Sequence, residues 1–205
     1  MGESSAEAAA NLSQLSEAED EVLNFNEMGI DDRILMGVLK QGWQEPTAIQ
    51  ETAIPLILEG RDILAKARTG SGKTGAYIIP LLHKILSMKR LKSVTQSTSA
   101  LVLTPSRELC NQAYQNISDL MVYCQREIKV VDLTTMNMTV QAQKQALSTK
   151  PDIIVATPTK ILAHLKDETS STLNGLKTTL EMLVIDEADL LLSFGYEDDM
   201  KCLVK

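Results

Sequence analysis

The sequence has 205 residues, of which 44% are hydrophobic and 23% are charged, with a formal net charge of −7. These values are close to those of globular domains, so they exclude a wholly disordered chain, a collagen and a coiled-coil rod. The length fits one domain with or without a tail and not two full-sized domains. No apolar stretch reaches the roughly 18–20 residues that cross a bilayer, and the N-terminus lacks the pattern of a secretory signal.

The negative charge is concentrated at the N-terminus. Residues 1–24 contain six acidic residues and no basic one, which leaves a net charge of only −1 on the rest. Because this segment has few bulky apolar side chains, we expect it to be disordered or to form a transient helix, with the folded domain covering residues 25–205. The overall charge argues against a nonspecific polyanion binder but leaves open a local nucleic-acid site.

The three cysteines, Cys110, Cys124 and Cys202, lie far apart in the sequence and form no CxxC pair. This spacing predicts free thiols in a reducing compartment, with no disulfide partner.

Helical patterns open the folded part, at residues 34–39 and 47–58, with Gly42 and Gly60 following them. Short apolar runs then alternate with further helical patterns. The runs that we predict to be strands are 62–65, 100–103, 130–133, 153–156 and 182–185. Helices are predicted after the first run to about residue 88, then at 107–123, 140–147 and 159–165. This alternation predicts an α/β fold with a parallel sheet covered by helices on both faces.

A P-loop follows the first predicted strand and opens a helix, which is the context that such a motif requires. Its residues are Thr69, Gly70, Ser71, Gly72, Lys73 and Thr74. The two glycines let backbone N–H groups turn toward a polyphosphate, and the helix N-terminus adds partial positive charge. Lys73 would lie near the β and γ phosphates, and Thr74 would offer its hydroxyl to Mg²⁺. The pattern predicts an ATP-type phosphate site.

The last predicted strand ends in Asp186-Glu187-Ala188-Asp189. Asp186 would hold Mg²⁺, largely through water, since this ion keeps much of its hydration shell. Glu187 would orient and deprotonate the attacking water. With Lys73, these two acids are the predicted catalytic set.

Asp186–Asp189 together with the P-loop resembles the DEAD-box RNA helicases, which are superfamily 2 ATPases with two RecA-like lobes. Other segments are similar to the family's motifs and occur in the expected order. Residues 42–50 (GWQEPTAIQ) resemble the Q motif, residues 105–109 (PSREL) resemble motif Ia, and residues 157–160 (TPTK) stand where motif Ib normally reads TPGR. The resemblance covers residues 25–205 and implies a RecA-like first lobe that binds ATP, Mg²⁺ and single-stranded or short-duplex RNA.

The resemblance also assigns roles around the adenine. The amide of Gln50 would donate to adenine N7 and accept from the N6 amine, which selects adenine over guanine. Phe25 would stack on the ring, and the backbone near Glu45 would line the same pocket.

On the RNA side, the resemblance implies that Pro105, Arg107, Thr157, Pro158 and Lys160 contact the sugar-phosphate backbone at the carboxyl ends of two strands. Two departures weaken motif Ib. A bulkier threonine replaces glycine at position 159, and Lys160 lacks the bidentate fork of arginine. The family's paired glycines are also absent from residues 134–139.

The family places a Ser-Ala-Thr triplet and a second lobe after the segment that this sequence contains. The strand that carries the triplet normally lies between the first predicted strand and 182–185, so we expect a gap in the sheet and poor stability or rearrangement. Without the second lobe's arginine finger the 205-residue chain should be weakly active or inactive.

The leading hypothesis is an ATP-dependent RNA helicase. The alternatives are a truncated, non-catalytic nucleotide- or RNA-binding module and, less favoured, a DNA-directed helicase of the same superfamily. Residues 190–197 look most like the branch that assembles the large ribosomal subunit, which implies pre-ribosomal particles as partners and the nucleolus as location; otherwise the chain would be cytoplasmic.

Overall fold

The structure is a computed structural model that describes residues 23–91, 96–136, 138–167, 173 and 175–204. The predicted tail, residues 1–24, lies almost entirely outside these residues. The described part contains one parallel sheet with the strand order β2-β3-β1-β4. The strands are β1 (Ala100–Leu103), β2 (Val130–Asp132), β3 (Ile153–Ala156) and β4 (Met182–Ile185). Four of the five predicted strands are therefore confirmed, although β2 ends one residue early.

Helices connect and cover these strands. A short 3₁₀ helix, Phe25–Glu27, precedes them. The α-helices of the described residues are α1 (Asp32–Lys40), α2 (Ala48–Leu58), α3 (Lys73–Arg90), α4 (Arg107–Leu120), α5 (Val140–Ser148), α6 (Pro158–Leu165), α7 (Leu176–Thr179), α8 (Ala188–Ser193) and α9 (Glu197–Leu203).

The two central strands, β1 and β3, are buried at every position because helices pack on both faces of the sheet. Successive strand residues enter opposite core clusters, as the alternation of side chains along a strand requires. One cluster joins side chains of α3 and α4 to Ala100, Val102, Ile153 and Val155. The other joins side chains of α5 and α6 to Leu101, Leu103, Ile154 and Ala156. The predicted three-layer arrangement is confirmed.

The prediction of a buried strand at residues 62–65 is wrong. Residues 62–65 are exposed and form no ladder with any described strand, and the side chain of Leu64 is 97% exposed. β4 pairs only with β1, so its other edge has no partner among the described strands, and Leu183 and Ile185 are also exposed. A strand forms only where a neighbour satisfies its backbone groups. Among the described residues no strand lies on the free side of β4, and residues 62–65 have no neighbour there with which to form a ladder.

Asp31 connects the start of α1 to the middle and the end of α3. Its carboxylate caps α1 by accepting from the backbone N–H of Arg33 at 3.1 Å, and it accepts from the guanidinium groups of Arg33 (2.9 Å) and Arg90 (2.7 Å). Its own backbone N–H donates to Nδ1 of His83 at 3.1 Å. The side-chain hydrogen bond from Arg33 is the main cause that lowers the pKa of Asp31 to about 2. These contacts fix α3 against the N-terminal helices.

Candidate nucleotide-binding site

The predicted P-loop forms a tight turn directly before α3. Gly70 and Gly72 have φ angles of +80° and +93°, in the left-handed region where glycine meets no steric penalty. The turn is closed by the backbone N–H of Ser71, which donates to the carbonyl of Arg68 at 3.2 Å. α3 begins at Lys73, so its free N–H groups lie at the end of this turn.

The loop faces the end of β4 across a cavity of about 310 Å³. The fold brings to this cavity most of the predicted phosphate, metal and catalytic residues, although residues 69–74 and 186–187 lie far apart in the sequence. Its lining includes Thr69, Gly70, Gly72, Lys73, Thr74, Asp186 and Glu187, with Tyr77 from α3 and Leu109, Gln112, Ala113 and Asn116 from α4.

The ammonium group of Lys73 lies between the loop and β4. Its Nζ donates to the backbone carbonyls of Ala67 at 2.8 Å and Arg68 at 3.3 Å, and it is 3.9 Å from Oε1 of Glu187. The side chain therefore folds back on its own loop, with its charge partly neutralised by a carboxylate. A phosphate entering the cavity would compete with these carbonyls for the same N–H donors.

Two features of the loop fit a bound magnesium nucleotide. The buried hydroxyl oxygen of Ser71 has no hydrogen-bond partner among the described residues, and buried polar groups rarely remain unpaired without a ligand or water. Thr74 and Asp186 face the same cavity and supply one hydroxyl and one carboxylate. Within the described ranges no group of three or more His, Cys, Asp or Glu side chains could enclose a metal. A sparse set of this kind suits Mg²⁺, which usually keeps several waters.

Both oxygens of the Asp186 carboxylate are engaged. Oδ1 accepts from the backbone N–H of Glu187 at 3.0 Å, and Oδ2 accepts from the hydroxyl of Tyr77 at 3.0 Å. Burial and the neighbouring Asp186 charge raise the pKa of Tyr77 well above its usual range, so the phenol stays a donor. Glu187 adopts a left-handed conformation with φ of +49°, which is uncommon for a residue other than glycine. Sequence reasoning missed Tyr77, although its position one helical turn after Lys73 could have indicated it.

Gln50 lies beside the loop and is 3% exposed. Its Oε1 accepts from the backbone N–H of Thr47 at 3.0 Å, within a capping box that starts α2. Its Nε2 donates to the carbonyl of Gly72 at 3.1 Å. Trp43 packs nearby, so close to α3 that a Cβ atom on Gly75 would lie 2.7 Å from its ring. The segment similar to the Q motif is therefore packed directly against the P-loop.

None of the predicted adenine contacts, Gln50, Phe25 or Glu45, is among the residues that line this cavity. Phe25 is 4% exposed and belongs to the core, and it borders a separate cavity of about 150 Å³ together with Leu35 and Gln44. Glu45 is exposed. The structure thus brings Gln50, but neither Phe25 nor Glu45, to the phosphate loop.

The residues predicted to contact RNA follow the carboxyl ends of β1 and β3. These strands are parallel neighbours, so Pro105 and Thr157-Pro158 lie along one edge of the sheet. All three are buried, whereas Arg107 and Lys160 are exposed at the starts of α4 and α6.

Thr159, which stands where the family has glycine, donates its hydroxyl to Oδ2 of Asp199 at 2.7 Å. A carboxylate from α9 therefore lies beside the N-terminal turn of α6. This contact was not foreseen from the sequence.

No helix in the described ranges has both the length and the apolar character of a membrane span.

Comparison with known proteins agrees with this geometry. Residues 47–205 match the model of the DEAD/DEAH box helicase family. The chain is 46% identical over 190 residues to the ATP-dependent RNA helicase dbp9 of Sclerotinia sclerotiorum, covering 93% of this chain and 30% of that protein. It is 46% identical over 179 residues to the probable ATP-dependent RNA helicase ddx56 of Dictyostelium discoideum, covering 87% of this chain and 25% of that protein. The chain thus spans less than a third of the length of these relatives.

Solved structures show the same fold. A DEAD box protein from Methanococcus jannaschii superimposes with a TM-score of 0.73 at 33% identity, over 88% of this chain and 46% of that one. The RNA helicase Prp28 from Chaetomium thermophilum, bound to ADP, gives a TM-score of 0.73 at 28% identity, over 89% of this chain and 42% of that one. The predicted α/β fold is confirmed. Because the family model matches well over half of the sequence, the chain belongs to the DEAD/DEAH box helicase family.

Proposed function

We propose that the chain is the ATP-binding first lobe of an ATP-dependent RNA helicase. The observation that carries this proposal is the single cavity in which Lys73 and Thr74 of the P-loop face Asp186 and Glu187 of β4. The names of the curated relatives and the ADP bound to the similar Prp28 support it. These relatives named as helicases also favour a helicase over a non-catalytic module.

Each group of residues in the cavity would have a different role toward the bound triphosphate. The N–H groups after Gly70 and at the start of α3 would bind phosphate oxygens, and Lys73 would exchange the carbonyls of Ala67 and Arg68 for the terminal phosphates. Bound magnesium, held by Thr74 and Asp186 mostly through water, would neutralise charge on those phosphates. Glu187 would orient the attacking water and accept its proton.

Gln50 can recognise adenine without giving up its contacts in the structure. Its amide nitrogen carries two hydrogens and uses one for Gly72, and its oxygen has two lone pairs and uses one for Thr47. One donor and one acceptor remain, which matches N7 and the N6 amine of adenine. Phe25 and Glu45 would reach the base only if the 3₁₀ helix and the loop before α2 moved toward the P-loop.

The edge of the sheet that carries Arg107, Thr157 and Lys160 would bind the phosphates of single-stranded RNA, because the two exposed cations flank the ends of β1 and β3. We further propose action on pre-ribosomal particles in the nucleolus, on the resemblance of residues 190–197 to that branch of the family. Co-sedimentation of the tagged protein with pre-ribosomal particles tests this second step. Its absence from those fractions would contradict it.

Nucleotide binding is the direct test of the site. Titration of a fluorescent ADP analogue with Mg²⁺ should show saturable binding that Lys73→Ala weakens by at least about tenfold, since the lysine would contact the phosphates. Lys84→Ala is the matched control, because Lys84 lies on the same helix but pairs with Glu181 at 3.5 Å. Equal affinities for wild type and Lys73→Ala would refute the proposed site.

A further inference from the structure

The hydroxyl of Tyr77 is placed on the very carboxylate that would hold the metal. It donates to Oδ2 of Asp186 at 3.0 Å, while the backbone N–H of Glu187 donates to Oδ1. Two donors on different oxygens fix both the position and the rotation of a carboxylate, which a single hydrogen bond leaves free to rotate.

The Tyr77 hydroxyl comes from the same helix as the proposed phosphate-binding lysine, Lys73. Tyr77 and Lys73 lie one turn apart on α3, so their side chains point to the same face of that helix. Both contact the end of β4, since Nζ of Lys73 is 3.9 Å from Glu187 while Tyr77 contacts Asp186. The helix that carries the proposed phosphate-binding lysine therefore also contacts Asp186 and Glu187 and helps to fix their positions.

Among the described residues, few contacts other than that with Tyr77 hold Asp186 in place. Among the described strands β4 pairs with β1 alone, and the backbone N–H of Asp186 donates to the carbonyl of Leu103 at 2.9 Å. The opposite edge of β4 has no partner in the described ranges, and Ile185 before Asp186 is exposed. In the described residues Asp186 is therefore held by the ladder to β1 and by its contacts with Tyr77 and Glu187.

We propose that Tyr77 is a positioning residue, whose hydroxyl orients the Asp186 carboxylate for the magnesium that accompanies the nucleotide. This inference rests on the proposed nucleotide site. It predicts that Tyr77 affects only the magnesium-dependent part of nucleotide affinity and acts only through Asp186. The aromatic ring itself packs against the core, so only the hydroxyl oxygen should be changed in a test.

The experiment compares wild type, Tyr77→Phe, Asp186→Asn and the double variant in the full chain. The dissociation constant of a fluorescent ADP analogue is measured in magnesium chloride and in EDTA. The quantity compared between variants is the magnesium ratio, which is the dissociation constant in EDTA divided by that in magnesium chloride. Tyr77→Phe should lower the magnesium ratio about tenfold, because removing a hydrogen-bond partner of a metal ligand typically weakens metal binding by about that much. The dissociation constant in EDTA should stay within about twofold of the wild-type value. In the Asp186→Asn background the same change should alter the ratio by less than about twofold. Tyr114→Phe, which removes a phenol from α4, should behave as wild type.

Several outcomes would overturn the inference. Equal losses in magnesium and in EDTA would mean that Tyr77 only supports packing, and an undiminished effect in the Asp186→Asn background would mean that it does not act through Asp186. An unchanged ratio in Tyr77→Phe, beside a magnesium-dependent wild type, would refute the positioning role and leave the nucleotide site standing. If wild type itself binds no nucleotide, the proposed function fails and the inference with it. Thermal unfolding of each variant verifies that it is folded.

Discussion

Replacing Gly75 by alanine should separate Trp43 and Gln50 from the helix that carries Lys73. A Cβ atom at position 75 would lie 2.6 Å from Nε2 of Gln50, and 2.7 and 3.0 Å from two carbons of the Trp43 ring. Each distance is well below ordinary van der Waals contact. Gln50 cannot simply turn away, since its amide is bound to Thr47 and to the carbonyl of Gly72.

Two opposing effects set the magnitude. Alanine in place of glycine favours a helix by about 0.8–1.0 kcal/mol, whereas an extra methyl group in a packed site costs about 1–3 kcal/mol. We therefore expect a net loss of up to about 2 kcal/mol in the free energy of unfolding, or up to roughly 8 °C in Tm for a domain of this size. Nucleotide affinity should fall as well, because the contact of Gln50 with the P-loop is broken.

Thermal unfolding and titration with a fluorescent ADP analogue measure the two effects. Trp43→Leu combined with Gly75→Ala is the matched rescue, since the smaller side chain leaves room for the new methyl group. The double variant should lose less stability than the sum of the single changes. A Gly75→Ala variant as stable as wild type, with unchanged affinity, would refute the packing described between the Q-motif segment and α3.

Two further predictions concern acidic side chains. Asp199→Asn keeps an acceptor for Thr159 but removes a negative charge beside the proposed RNA edge, so it should tighten binding of single-stranded RNA about two- to fivefold in low salt. Filter binding or fluorescence anisotropy would measure this change. An equal gain in affinity in Asp198→Asn, on the exposed side of the same helix, would contradict a local effect. Asp31→Asn should lower the free energy of unfolding at pH 7 by about 2 kcal/mol, because hydrogen bonding by Arg33 lowers the pKa of Asp31 from 3.8 to about 2. That stabilisation is present above about pH 4 and is lost as the pH falls toward 2, so urea unfolding should show a difference between wild type and variant that shrinks across this range; a difference independent of pH would contradict it.

Local patterns in the sequence were sufficient for the strands that the sheet buries on both sides. Ala100–Leu103 and Ile153–Ala156 are continuous apolar runs, and each is central in the sheet. Residues 62–65 have a similar run, but strand formation depends on a neighbour that is distant in sequence. The composition of a segment cannot show whether that neighbour is present, and this is why the prediction failed at this position.

The same distinction applies to the site. The P-loop could be predicted because its residues are adjacent and the turn itself demands glycines. The contact between Tyr77 and Asp186, and that between Thr159 and Asp199, join residues far apart in sequence. The motif at residues 186–189 indicated Asp186, and Tyr77 lies one helical turn after Lys73, but neither pattern shows that the two side chains meet. Nothing near Thr159 or Asp199 in the sequence indicates their contact. Gln50 is intermediate, since a motif pointed to it, but only the fold shows that it contacts Gly72.

These contacts make α3 the element on which the site depends. Its first turn carries Lys73, its second carries Tyr77, and its last residue, Arg90, binds the cap of α1 through Asp31. The acidic pair, by contrast, lies at the end of β4, which pairs with β1 alone among the described strands. A change that loosens α3 should therefore displace lysine and aspartate together, whereas a change in β4 should displace the aspartate alone. In the proposed site, phosphate chemistry would require both groups at a fixed spacing, and the hydrogen bond from α3 to the end of β4 is the contact that would hold this spacing most directly.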